Sequence, residues 1–226
     1  MPCTVPVPGG AWSPSRPGYT ENKAVRVFWV HIPVAAAAIA WNLLAGGLAP
    51  WGWLACLSAG LLLWTLLEYL IHRFAFHGFA PHWQHHERPR DRQWIFAPLW
   101  LSTGAALLLW GLLAAALRSL PHAALVTAGI VAGYLAYEAV HLTIHGPRAG
   151  CALLVALRRR HYYHHFADDT ACYGVTSPLW DRIFGSLPKN LTARRDFPYH
   201  EADTGGPGRL PSDPCAAGEG RMLAED

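Results

Sequence analysis

Long apolar stretches alternate with polar segments along the chain. Four stretches contain no Asp, Glu, Lys or Arg: residues 27–49, 50–67, 94–117 and 121–137. A helix that spans a membrane needs about 20 mostly apolar residues. The first and third stretches reach this length directly, the second reaches it by continuing through Ile71, and the fourth by including Glu138 and His141. We expect four membrane-spanning helices; four buried helices of a soluble bundle are the alternative, but such helices seldom run this long without a charge.

Basic residues flanking these helices predict their orientation. They concentrate before the first helix, between the second and third, and after the fourth, at Arg16, Lys23, Arg26, Arg73, Arg88, Arg90, Arg92, Arg148, Arg158, Arg159 and Arg160. Short loops rich in Lys and Arg usually face the cytoplasm. We therefore predict an integral, multi-pass membrane protein with both termini and the middle loop in the cytoplasm.

The apolar region divides the chain into three predicted parts. Residues 1–26 and 189–226 are expected to be tails on either side of a membrane domain at residues 27–188, because both are polar and rich in Pro and Gly. The start of the chain has no basic end followed by an apolar run, so we do not expect a signal peptide there.

Composition supports a membrane protein and excludes several other classes. Of 226 residues, 52% are hydrophobic and only 15% are charged, whereas a soluble domain carries about 25% charged residues. The net charge of +3 is too small to indicate a nucleic-acid partner. The five Cys form no CxxC pattern, which argues against a disulfide framework and a cysteine zinc site.

Histidines are concentrated in two windows of the sequence. Ten of the 13 lie there, as His72, His77, His82, His85 and His86 after the second helix, and His141, His145, His161, His164 and His165 around and after the end of the fourth. Because the two helices end on the same predicted side, both windows should meet at one membrane face. The predicted fold class is all-α: an integral-membrane four-helix bundle with a cytoplasmic His-rich helical cap.

The spacing of these histidines indicates metal ligation. HWQHH and HYYHH place three rings at positions i, i+3 and i+4, which share a helix face, so each motif should direct two or three nitrogens to one point. His72 and His77 are five apart, roughly 140° on a regular helix, so we expect the helix to end or bend before Gly78 and Pro81. Neutral imidazole is a common ligand of iron, zinc and copper. A surface zinc buffer or a pH sensor is the alternative.

The remaining histidines and two carboxylates have separate interpretations. His31, His122 and His200 are isolated, and we expect ordinary polar roles for them. Glu68 and Glu138 lie one turn before His72 and His141, where a carboxylate is costly in a membrane and usually functional. We expect each to hydrogen-bond the far nitrogen of a ligand histidine. Direct metal ligation and a charge reaching out to the membrane surface are the alternatives.

These histidine segments resemble the integral-membrane fatty acid hydroxylase superfamily, which includes sterol desaturases, fatty acid 2-hydroxylases and, more distantly, carotene hydroxylases. The matching segments are EYLIHRFAFH (68–77), HWQHHERP (82–89), EAVHLTIH (138–145), RHYYHHF (160–166) and YGVTSPLWDRIFGS (173–186). The resemblance covers roughly residues 27–188. It implies two iron ions bound by the ten clustered histidines, with Asp181 as a further residue able to hydrogen-bond a ligand. It also implies O₂ activation and insertion of one oxygen atom into a C–H bond of a lipid.

The resemblance leaves the substrate and the electron donor open. The fatty acid 2-hydroxylase branch fits best, with a fatty acyl chain or related lipid as substrate. The loop between His77 and His82 holds only four residues and is closer to carotene hydroxylases, so a sterol desaturase or oxidase and a carotenoid hydroxylase stay as alternatives. No cytochrome b5 domain is recognisable, which implies a separate cytochrome b5-like or ferredoxin-like carrier. Zinc is able to replace iron in a purified sample, and a non-enzymatic metal-binding or transport protein is the remaining alternative.

Overall fold

A computed structural model of the chain describes residues 19–45, 48–89, 91–146, 151–189 and 191. These residues form helices and contain no β-strand, which confirms the all-α prediction. The helices are α1 (Tyr19–Ala45), α2 (Pro50–Leu70), a π-helical turn (Ile71–Ala75), a 3₁₀ turn (Phe76–Gly78), α3 (Ala80–Glu87), a 3₁₀ turn (Arg92–Trp94), α4 (Leu99–Leu117), α5 (Leu120–Ile144), α6 (Ala152–Phe166) and α7 (Leu179–Ile183).

Four helical stretches are long and apolar enough to cross a membrane. They are Arg26–Leu44, Pro50–Gly78, Arg92–Leu117 and Leu120–Ile144. Each coincides with one of the apolar stretches of the sequence, which confirms the four-helix membrane bundle. The side of the membrane that each end faces stays a prediction.

The first helix begins earlier than the sequence suggested. Helix α1 starts at Tyr19, whereas the part of it that is apolar enough to span a membrane starts at Arg26, and the division between a tail of residues 1–26 and the membrane domain stays a prediction. The polar residues at the start of α1 extend a helix whose apolar part begins only at Val27. The rest of both expected tails, residues 1–18 and 192–226, lies outside the described residues.

Helix α5 is the central helix of the bundle. Within its most apolar window 67% of residues are buried, against 17% in α1 and α2 and none in α4. Trp29, Trp51 and Leu107 on the outer helices are instead mostly exposed. An apolar surface of this extent is expected where a helix faces lipid.

Glycines bring α2 and α5 into backbone contact. A Cβ atom added to Gly60 would lie 2.1 Å from the carbonyl oxygen of Val126, and one added to Gly129 would lie 2.4 Å from that of Leu57. Small residues at such crossings allow close packing where lipid provides no hydrophobic drive between helices. This contact fixes the relative position of the two helices whose ends carry His72 and His141.

We predict that Gly60→Ala destabilises the bundle, because the added methyl group forces the α2 and α5 backbones apart. Overpacking of this kind costs about 1–3 kcal/mol. The free energy of unfolding in detergent micelles measures it. Gly104→Ala on α4 is the matched control, because a Cβ there meets nothing within 4 Å; equal losses in the two variants would contradict the role of the glycine contact.

Candidate metal centre

Two neighbouring groups of histidines form just beyond one end of the bundle. Within each group, one nitrogen from every ring lies within 4.8 Å of the others. Group one contains His72, His77, His82, His86 and His164; group two contains His85, His141, His145, His161 and His165. All ten histidines singled out from the sequence are therefore brought together. His31 and His122 belong to neither group, and His200 lies outside the described residues.

Each H-x-x-H-H motif places two of its three rings in one group and the third in the other, in agreement with the prediction that each motif directs two or three nitrogens to one point. On a helix, positions i+3 and i+4 flank position i from opposite sides and are about 100° apart. In α3, His82 and His86 join group one, whereas His85 points to group two. Helix α6 does the reverse and sends His164 to group one. Group one thus receives its fifth histidine, His164, from the motif in α6, and group two receives its fifth, His85, from the motif in α3.

A π-helical turn lets His72 and His77 reach the same group despite their spacing of five. The turn covers Ile71–Ala75, and the Phe76 amide donates to the Ile71 carbonyl five residues earlier. Residues five apart are nearly aligned in such a turn, which is often found at functional sites. The two rings lie 5.5 Å apart between centroids. The prediction that the helix ends or bends here is confirmed.

The nitrogens of group two converge more closely than hydrogen bonding explains. The Nε2 atom of His161 lies 3.1 Å from that of His141, 2.8 Å from that of His145 and 3.0 Å from that of His165. A neutral imidazole has a single N–H and cannot donate to three partners. Two nitrogens that bind one ion at right angles, each at about 2.1 Å, are about 3.0 Å apart. The arrangement therefore fits a metal ion.

Group one also contains nitrogen atoms whose surroundings favour a bound metal ion. The Nε2 atoms of His72, His77 and His164 are buried and have no hydrogen-bond partner among the described residues. A buried polar atom without a partner is costly, and a bound cation removes that cost. Donor sets made only of imidazole suit iron, zinc or copper, and do not suit magnesium or calcium.

Backbone carbonyl groups orient two of the rings in group one. His72 Nδ1 donates to the Tyr173 carbonyl oxygen at 2.6 Å, and His164 Nδ1 donates to that of Ala171 at 2.7 Å. Such bonds hold the proton on Nδ1 and leave the Nε2 lone pair free for a metal. Sequence reasoning missed these contacts, because any residue type supplies a carbonyl group.

Glu68 supports the chain segment behind the rings, and among the described residues its hydrogen bonds go to this segment and not to a histidine, so the predicted hydrogen bond is not formed. Its carboxylate accepts from the amides of Val175 and Thr176 at 2.6 and 2.8 Å, and from the Thr176 hydroxyl. Glu68 lies on α2 one turn before His72. It therefore anchors the segment that follows Tyr173 to the helix that carries His72.

Asp181 is fully buried and acts on the same segment from the other side. It accepts from the amides of Tyr173 and Gly174 at 2.9 and 2.8 Å and from the Ser186 hydroxyl at 2.7 Å. A side chain at Gly174 would bring Cβ within 2.0 Å of the Ser177 carbonyl oxygen. Asp181 thus reaches His72 only through the Tyr173 peptide, and the expected direct contact with a ligand is not formed.

Glu138 also departs from its predicted role. It is fully buried, and its carboxyl group lies close to the Tyr134 hydroxyl and the Ala97 amide without a hydrogen bond of ordinary geometry to either. Glu138 lines a cavity beside group one, which we call the proximal cavity. His72 and His82 form part of its wall. Its other lining residues are mostly apolar or aromatic: Trp64, Glu68, Ile71, Phe76, Phe79, Pro81, Trp94, Ile95, Phe96, Ala97, Pro98, Tyr134 and Tyr137.

Burial lowers the pKa of the imidazoles beyond the membrane-spanning segments. The pKa falls to about 3 in His86 and about 4 in His164, with removal from water as the largest cause. Burial and neighbouring rings lower the pKa further in His82, His85, His145, His161 and His165. These rings are uncharged at neutral pH, which is the form that binds a metal. A ring that stays neutral is not a sensor of pH near 7.

An all-helical membrane bundle that holds two histidine groups at one end defines the class of protein: an integral membrane protein with a candidate metal centre. The sequence profile of the fatty acid hydroxylase family matches residues 57–186. The chain belongs to this family.

Individual relatives support the assignment. The chain is 36% identical over 144 residues to a dihydroceramide fatty acyl 2-hydroxylase from Arabidopsis thaliana, covering 57% of this chain and 59% of that protein. It is 34% identical over 146 residues to fatty acid 2-hydroxylase from Homo sapiens, covering 57% and 38%. The structure of full-length scs7p, in which only the hydroxylase domain is visible, matches with a TM-score of 0.66 and 27% identity, covering 74% of this chain and 67% of that one. The chain thus matches less than two thirds of the length of these two curated relatives.

We predict that Asp181→Asn lowers stability and loosens His72. The amide group of Asn brings donors toward backbone amides, so buried hydrogen bonds are lost at a cost of about 1–3 kcal/mol. Unfolding in detergent measures the loss, and metal bound per chain reports the effect on group one. Asp168→Asn is the control, since Asp168 accepts from the Thr170 amide in a surface turn; a change within about 0.5 kcal/mol is expected there. Equal effects of both substitutions would count against the role of Asp181.

Proposed function

We propose that this chain is a membrane-bound, non-haem di-iron hydroxylase that uses O₂ to oxidise a lipid acyl chain, with one iron ion in each histidine group. The observation that carries the proposal is the convergence of ten imidazoles into two sets of five at one end of a membrane bundle. Family membership supports iron, although imidazole donors accept zinc equally well in a purified sample.

The proposed substrate is a ceramide-type lipid that is hydroxylated at carbon 2 of its acyl chain. The names of the Arabidopsis and human relatives specify fatty acyl or fatty acid 2-hydroxylation, and the former specifies dihydroceramide. The proximal cavity supports a lipid, because its wall is largely aromatic and it lies at the ends of membrane-spanning helices. This position favours an acyl chain that enters from the bilayer.

In this proposal, bound iron supplies O₂ activation and the insertion of oxygen into a C–H bond. The chain itself orients and isolates the reactants. The Tyr173 and Ala171 carbonyl groups hold protons on Nδ1 of His72 and His164, so that Nε2 stays available. Phe76 and Trp94 in the cavity wall exclude water. The Glu138 carboxyl group, which lines the proximal cavity beside Tyr134, hydrogen-bonds an N–H or O–H of the lipid head group.

The location of the histidines favours an enzyme over a transport protein. Transporters usually bind their cargo near the middle of the bilayer, on interrupted helices. Here seven of the ten histidines lie outside the four spanning stretches, and His72, His77 and His141 lie near the ends of two of them. Six of the ten rings come from α3 and α6.

We further propose that the histidine groups and both termini face the cytoplasm and that a separate carrier delivers the electrons. Arg73, Arg88 and Arg158 lie on the side of the bundle that carries the histidines, and a cytoplasmic side follows from the usual distribution of basic loops. The proposed carrier is a cytochrome b5-like or a ferredoxin-like protein that binds at this face.

We predict that His161→Ala abolishes hydroxylation, because His161 lies at the centre of group two. Iron should fall from about two ions per chain to about one or fewer, and product should fall more than about 100-fold. The measurement is mass spectrometry of membrane lipids after growth under ¹⁸O₂, combined with iron analysis of the purified protein. The intact chain should yield a lipid that carries a single ¹⁸O on an acyl chain.

His122→Ala is the matched control for this experiment. His122 bonds Ser119 at the opposite end of α5 and belongs to neither group, so iron and product should be unchanged. An iron-loaded, reduced wild-type protein that leaves the lipid profile unaltered would refute the proposed function.

The proposed orientation predicts the accessibility of Cys151. This residue is exposed and immediately precedes α6, which carries His161. In a variant that keeps Cys151 as its only cysteine, a membrane-impermeant maleimide should react only after the cells are permeabilised. A cysteine placed at Arg118, in the connection between α4 and α5, should react in intact cells. The reverse pattern would overturn the orientation.

A further inference from the structure

A second cavity, the distal cavity, lies inside the membrane-spanning part of the bundle. It has a volume of about 330 Å³ and lies between α1, α4 and α5, with part of its wall open to the lipid-facing surface. Its wall is mostly apolar and includes Ala35 and Ala38 from α1, Ala106 from α4 and Ala128 from α5. Helix α1, which forms one wall of this cavity, precedes the region that matches the family profile, residues 57–186.

The distal cavity continues the line of the proximal cavity along the same two helices. On α5, residues 134–138 face the proximal cavity, and residues 124–131 face the distal one. The same order holds at α4: residues 94–98, just before and at its start, line the proximal cavity, and residues 103–110 line the distal cavity. The two spaces therefore follow one another from the histidine end into the bilayer.

Two side chains separate the cavities at their junction. Tyr134 lines the proximal cavity and His31 lines the distal one, and their rings meet edge to face with centroids 5.3 Å apart. His31 Nδ1 donates to the Val27 carbonyl oxygen at 2.9 Å, whereas His31 Nε2 has no hydrogen-bond partner among the described residues. The Tyr134 hydroxyl lies close to the side chains of Glu138 and Ser102. A ligand that passes between the cavities must therefore displace these two rings.

The path through the proximal and distal cavities is long enough for a long hydrocarbon chain. From His141 to Ala124, α5 rises about 25 Å. An extended chain of C–C bonds of about 1.5 Å advances about 1.3 Å per carbon, so this path holds about 20 carbons. The distal cavity is also accessible from lipid, because Val34 and Leu107 in its wall are 53% and 60% exposed.

We propose that the distal cavity binds the far end of the acyl chain of the lipid that is oxidised, and that its depth sets the chain length the protein accepts. This inference rests on the proposed hydroxylase function. The His31–Tyr134 pair is the point at which the chain passes from the proximal into the distal cavity.

Plugging the cavity at two depths tests the proposal. Ala35 and Ala38 lie in its wall about 4.5 Å apart along α1, and Ala35 is nearer to His31. Ala38→Phe should shorten the longest chain that is hydroxylated, and Ala35→Phe should shorten it by three or four more carbons, roughly. Ala36→Phe is the matched control, since Ala36 is exposed and lies outside the cavity wall.

The measurement is the chain-length profile of hydroxylated lipid from ceramides with acyl chains of about 10 to about 24 carbons. The ratio of long to short products should fall about tenfold or more in the plugged variants and stay at the wild-type value in Ala36→Phe. Active variants that keep the wild-type profile would overturn the inference.

A photoreactive ceramide tests binding without relying on activity. With a diazirine at the end of the acyl chain, it should label residues 30–41 or 103–110 of the wild-type protein in its native membrane. Labelling confined to other helices, or equal labelling by a phosphatidylcholine with the same tail, would refute the assignment. Labelling of the distal cavity without any hydroxylated lipid would instead refute the proposed function and leave the binding site standing.

Discussion

The structure depends on holding ten imidazoles in two groups at one end of a membrane bundle. Nitrogen lone pairs that converge at 2.8–3.1 Å repel one another unless something positive lies between them. The scaffold must therefore position the rings before a metal binds. The backbone contact between Gly60 and Gly129 and the burial of α5 supply that rigidity, because they fix the helix ends from which His72 and His141 project.

Rigidity at the histidine face comes from a second source, the segment between α6 and α7. Its carbonyl groups at Ala171 and Tyr173 orient two rings, while Glu68 and Asp181 hold its amides. The segment thus links α2, α6 and α7 by charged side chains that accept from buried backbone groups, and such hydrogen bonds are stronger than neutral ones. Two carboxylates that would be costly at this depth are stabilised by amides and do not need a metal.

Features that depend on local sequence patterns could be predicted from the sequence. Runs without charge identified the four spanning helices, and histidine spacing identified all ten members of the two groups and the break between His72 and His77. Exchange of His85 and His164 between the groups was not predictable, because it depends on how α3 and α6 face each other. The partners of Glu68 and Asp181 were missed for a related reason: they are backbone groups far along the chain, which leave no residue-type signal.

If each histidine group surrounds one iron ion, crystals of the iron-loaded protein should show this by anomalous diffraction at the iron absorption edge. We expect two peaks per chain, one in each group, with Nε2 atoms at about 2.1 Å. A single peak, or peaks away from the ten histidines, would contradict it.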